Sequence, residues 1–280
     1  MLGGIGMALE ISKLSIAERA SLEALSDDVL ALRPAEERDE LEQVHVIGEG
    51  IICETEDVGS ITPHGLSPLE IVLDASEGFV PLWMPETTLR WRFRESSLAR
   101  FQNPHALRAK IEQLFGEALL LWGDAAPIKF AQRDDAWDFE IVMRDLDSCN
   151  ARGCVLASAF FPDAGRHELF IYPKMFTQVR REQVETLAHE IGHIFGLRHF
   201  FAQISESRWA SVVFGEHSKF SIMNYGADSS LTDADKADLK LLYKLVWSGE
   251  LTEINGTPIR LVRAYHDSGV PASERLLSAA

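Results

Sequence analysis

The sequence predicts an α+β layered domain. Helical patterns stand well apart, over residues 103–122, 181–197 and 231–247. Alternating apolar stretches gather between the first two of them. The two kinds of element do not alternate one for one, as a doubly wound sheet requires.

Taken in order, residues 9–43 read as helical and acidic. Leu14, Leu22, Leu25 and Val29 fall at helical spacing and the pattern ends before Pro34. Residues 45–79 mix short apolar runs with Gly, Pro, Ser and Thr, the texture of short strands and loops. "TTLRWRF" (87–93) alternates as a half-buried strand. The helix after it has Asn103 as cap, Pro104 at its first position, and Leu107, Ile111, Leu114, Ala118 and Leu121 along one face. "FEIVMRD" (139–145), "VLASAFF" (155–161) and "HELFIYP" (167–173) read as strands, and "REQVETLAHEIGHIFGL" (181–197) as a helix. In the last helix Thr232 and Asp235 have capping-box spacing, and Asn255-Gly256 turns a hairpin before a loose tail.

With 280 residues, 46% hydrophobic and 25% charged, the chain can bury a sizeable core. Its 27 basic against 43 acidic residues give a net charge of −16, which argues against nucleic acid or an anionic membrane surface as partner. Cys53, Cys149 and Cys154 are too few for a disulfide framework; Cys149 and Cys154 lie within reach of each other, and the sequence leaves their pairing open. Glu10 and Lys13 interrupt the apolar run a secretory leader would need, and no run is long enough for a membrane span. Compartment and oligomeric state stay undetermined.

The chemistry concentrates in "HEIGHIFGLRH", His189 to His199. On a helix His189 and His193 share a face and can hold one metal ion, while Glu190 reaches a metal-bound water without ligating the metal. Gly196 ends the helix with a positive φ, and the turn brings His199 back as third ligand. Three neutral imidazoles leave Zn²⁺ an open position for water. Any of these histidines alone reads as an ordinary packed residue; the joint spacing, with Gly192 and Gly196, points to the metal. A glycine inside a helix costs about 1 kcal/mol, so Gly192 is expected to serve a close approach.

The stretch resembles the H-E-x-x-H-x-x-G-x-x-H signature of the metzincin zinc peptidases, whose second mark is a downstream Met-turn; "SIMNYG" supplies Met223. Residues 86–245 are similar to the matrixin branch. The resemblance implies a zincin fold with a twisted, mostly parallel sheet, an antiparallel edge strand, an active-site helix and a C-terminal helix. It implies one catalytic Zn²⁺ on His189, His193 and His199, with Glu190 as general base and acid and with Met223 and Gly196 as structural support. Val155, Leu156, Ala157, Ser158 and Ala159 would form the edge strand that pairs with an extended protein or peptide substrate. Tyr225, two residues after Met223, resembles the astacin and serralysin Met-turn, where a tyrosine helps stabilise the tetrahedral intermediate.

The chain also departs from the matrixin pattern. Ser158 stands where a structural-zinc histidine is usual, with His167 near another such position, so a structural zinc is not expected and calcium is unassigned. Phe200 follows the third histidine, where the branches carry other residues. The expected organisation is residues 1–85 as pro-segment or accessory layer, 86–247 as the catalytic domain, and 248–280 as hairpin and tail. Cys53 lies outside any cysteine-switch pattern and reads as a buried strand residue. The expected activity is zinc-dependent endopeptidase; a catalytically silent zinc module acting through protein contacts is the alternative.

Overall fold

The computed structural model describes residues 51–52, 71–74, 78–150, 153–198, 211–214, 222–223, 230–254 and 256–267, with the backbone alone at 51–52, 71–74, 198 and 211–214. The helices expected within 9–43 and the tail lie outside these residues, as do His199, Phe200 and Tyr225.

The elements run in chain order as β1 (Ile51–Ile52), β2 (Ile71–Asp74), β3 (Val80–Trp83), β4 (Thr88–Phe93), α1 (Glu95–Leu98), α2 (Pro104–Trp122), β5 (Lys129–Gln132), β6 (Phe139–Met143), β7 (Ser148–Asn150), β8 (Gly153–Val155), β9 (Ala157–Ser158), β10 (His167–Ile171), α3 (Arg180–Ile194), β11 (Leu197–Arg198), β12 (Ser211–Phe214), α4 (Asp233–Ser248), β13 (Glu253–Ile254) and β14 (Thr257–Val262).

Among the described residues the principal sheet has the order β5-β4-β6-β10-β9. Its pairings are parallel except for β9, which runs antiparallel to β10 at the edge. This is the mixed sheet that the family resemblance implied. Strand β6 sits inside it and is buried along its whole length, while β4 alternates buried and half-buried residues as one covered face requires. On the other face of β4 and β6, Arg92 and Arg94 flank the buried Glu140, and Arg94 also reaches Glu168.

Helix α2 begins as its sequence dictates: Asn103 accepts from the Ala106 amide and Pro104 opens the first turn. It buries Leu107, Ile111, Leu114 and Ala118, whereas Leu121 is exposed and Phe115 and Trp122 complete the buried face. Phe115, Trp91, Phe130 and Phe139 pack edge to face between this helix and the sheet. Helix α4 has the full Thr232–Asp235 capping box and ends at Gly249 in the left-handed region.

Two long-range pairings are absent from the sequence reading. The expected hairpin β13–β14 forms, but β14 also lies parallel to β3, joining the two flanks of the expected catalytic region. The stretch 155–161 is not one strand. Val155 closes β8, which pairs with β7 and β1; Ala157 and Ser158 form β9 in the principal sheet. Cys149 and Cys154 face each other across the β7–β8 hairpin and are joined by a disulfide, which settles the pairing the sequence left open. No helix among the described residues is long and apolar enough to cross a membrane.

Candidate metal centre

Helix α3 carries the signature. Its amphipathic pattern buries Val184, Leu187, Ala188, Ile191 and Ile194 against α2 and the sheet. His189 is half-buried, while Glu190 and His193 are buried. The helix ends at Ile194, three residues short of the predicted stretch, because Gly196 turns the chain at φ +94°. A side chain there would also meet Pro81 O and Leu82 Cδ2 at 3.2 Å.

Helix α3 is held by buried donors that sequence reasoning missed. Trp122 Nε1 donates to Ala188 O at 2.9 Å and Trp83 Nε1 to Ile194 O at 2.7 Å. Tyr243 Oη donates to Phe195 O at 3.1 Å. The carbonyls of Ile194 and Phe195, at the helix C-terminus, lack partners within the helix, and the buried Trp83 indole and Tyr243 phenol satisfy them without water, whereas Trp122 bonds a carbonyl of the helix interior. Burial holds the Tyr243 phenol well above its ordinary pKa, so it remains a donor. The available signal was the pair of tryptophans, which need a polar partner when buried.

The two histidines are oriented from behind. His189 Nδ1 lies 2.7 Å from Ile222 O, and His193 Nδ1 lies 2.7 Å from Leu197 O. A carbonyl oxygen only accepts, so each Nδ1 carries the proton and each Nε2 presents a lone pair. The two Nε2 atoms converge to 3.1 Å, with the rings at 86°. Two lone pairs facing each other at that distance fit a shared cation. Zn–N bonds of about 2.0–2.1 Å at tetrahedral angles place neighbouring nitrogens about 3.3 Å apart. The donor set therefore fits zinc. Among the described residues no group of three metal-capable side chains assembles, and the expected third ligand, His199, lies outside them.

Met223 packs against the same helix, at Gly192. A Cβ on Gly192 would stand 2.5 Å from Met223 Sδ and 3.4 Å from Trp122 Cζ2, so glycine at 192 lets the thioether reach the helix. Phe161 packs edge-on against the His193 ring, with centroids 5.4 Å apart. Of the expected edge strand, Ala157 and Ser158 are the residues at the sheet edge. His167 stacks on Phe160 with centroids 4.4 Å apart, and its Nε2 stands 3.4 Å from Asp163 Oδ1.

A family model described as Matrixin matches residues 83–244. No curated protein sequence matches significantly. Among solved structures, myroilysin is similar at 13% identity, with 61% of this chain and 98% of that chain covered and a TM-score of 0.39. High choriolytic enzyme 1, a hatching-enzyme zinc protease from the medaka fish Oryzias latipes, is similar at 13% identity, covering 61% of this chain and 92% of that chain, with a TM-score of 0.37. The family match runs from the last residue of β3 through most of α4, including the histidine helix and Met223. The chain belongs to the matrixin family of metallopeptidases.

Proposed function

We propose that this protein is a zinc-dependent endopeptidase, with His189, His193 and His199 holding the ion and Glu190 moving the protons. The convergence of the two Nε2 atoms to 3.1 Å, each fixed by a carbonyl behind its ring, carries the proposal. When bound, zinc supplies Lewis acidity and lowers the pKa of its water to about 7.

The remaining steps belong to the chain. Glu190, next to His189 on the helix and buried, takes the proton of the attacking water and returns it to the leaving amine. Tyr225 donates to the developing oxyanion. Ala157 and Ser158, at the edge of the principal sheet, offer backbone groups to an extended peptide, a mode that any polypeptide can satisfy. The Cys149–Cys154 bridge favours an oxidising compartment for the folded enzyme.

Glu190→Ala is the test. The variant is expected to keep one zinc per chain and to lose peptide cleavage by about 10²–10⁴-fold in a quenched-fluorescence assay. Undiminished cleavage overturns the role of Glu190. Zinc bound to the wild type with no chelator-sensitive hydrolysis of casein or peptides leaves the binding-module reading in its place.

A further inference from the structure

We infer that β2, which lies ahead of the family-matched stretch, is a positioning strand of the metal centre and not a removable cover. The inference rests on the zinc reading above. Strand β11 is two residues long and follows directly on Gly196. Its Leu197 carbonyl orients His193, and the residue that follows the strand is His199. Leu197 packs into the core, and the backbone of so short a strand is aligned by a partner strand. Among the described residues that partner is β2, with Leu197 opposite Leu73 and Arg198 opposite Val72.

The other edge of β2 carries β12, with Ser211 opposite Asp74 and Phe214 opposite Ile71. Strand β12 lies in the connection that leaves β11 and returns at Ile222, whose carbonyl orients His189. Strand β2 is therefore central in the β11-β2-β12 sheet, between the start of that connection and a point midway along it. Removing a central strand leaves two unpaired edges and frees a long loop, at a cost in chain entropy. A segment that merely covered the cleft would leave the ligand scaffold intact on removal. The family match begins at residue 83, so β2 lies outside the stretch it covers.

The test uses the full chain. Leu73 faces both neighbours, opposite Leu197 and Val212, so Leu73→Pro removes a backbone donor from the middle of the sheet, whereas Leu73→Val keeps the backbone. Two readouts are followed: amide hydrogen exchange at 197–198 and 211–214, and the rate of zinc transfer to a chromophoric chelator. Leu73→Pro is expected to speed both by about tenfold or more, on the scale seen when partners behind metal-bound histidines are lost, with Leu73→Val close to wild type. Wild-type exchange and zinc retention in Leu73→Pro overturn the inference, as does a gain in peptidase activity with zinc retention unchanged. Should Leu73→Pro not fold, reciprocity decides on the wild type. Stripping zinc must then accelerate exchange at 71–74, and unchanged exchange there overturns the inference. A wild type that binds no zinc refutes the proposed function, while the exchange comparison still reports whether β2 holds its two neighbours.

Discussion

Gly192 and Met223 are in contact so close that a methyl group on the glycine would lie 2.5 Å from the methionine sulfur. The helix gives up side-chain stabilisation at that position so that the Met223 side chain of the Met-turn can pack against it. The same turn brings Ile222 O to His189 Nδ1 at 2.7 Å, so packing at Gly192 and orientation of His189 are set by adjacent residues of one segment.

Gly192→Ala is therefore expected to weaken zinc binding even though alanine is the better helix former. The propensity gain of about 1 kcal/mol opposes an overpacking cost of about 1–3 kcal/mol. Met223→Ala makes room, so the same Gly192 change should be neutral or stabilising in that background. Chelator competition and urea unfolding on the four-member cycle measure this. Equal effects of Gly192→Ala in both backgrounds would show that the contact does not matter.

Tyr243 predicts an alkaline limit to stability. Its hydroxyl donates to Phe195 O and accepts from Trp83 N at 3.4 Å, so Tyr243→Phe leaves buried backbone groups unsatisfied and should cost about 1–3 kcal/mol. The folded phenol is held above the ordinary value of 10.0, so the stability it contributes is complete below that pH. It declines as pH rises further, by about 1.4 kcal/mol per pH unit, because only the unfolded chain releases the proton. Urea unfolding at about pH 8 and about pH 11 should show this slope in wild type and its loss in Tyr243→Phe. Identical slopes in the two proteins would refute it.

The Cys149–Cys154 bridge closes a short hairpin whose strand β8 also carries β1. Closing so short a loop contributes about 2 kcal/mol, so the Cys149→Ser/Cys154→Ser variant should melt about 4–8 °C lower. Reductant should lower the wild type to the same point and leave the variant unmoved. A reductant-insensitive wild type with two free thiols at these positions would rule the bridge out.

The signature helix was legible because its information is local. Spacing places His189, Glu190 and His193 on α3, and Gly196 stops the helix by a conformation that glycine tolerates. The caps at Asn103 and Thr232 follow the same rule, since donor and acceptor lie within one turn. The mostly parallel sheet followed from family likeness and not from periodicity, which carries no strand order.

Tertiary structure alone decided how the histidines are aimed. Leu197 O and Ile222 O are backbone atoms, present at every position, and only the fold brings these two to the imidazoles. The same holds for the indoles that bond carbonyls of α3 and for the division of residues 155–161 between two sheets. The pairing of β2 with β11 and β12 joins residues more than a hundred apart, through groups that no side chain announces. The sequence by itself determined which side chains can do zinc chemistry; the fold determined their tautomers, their orientation and which distant strand holds them in place, because those depend on backbone groups common to all residues.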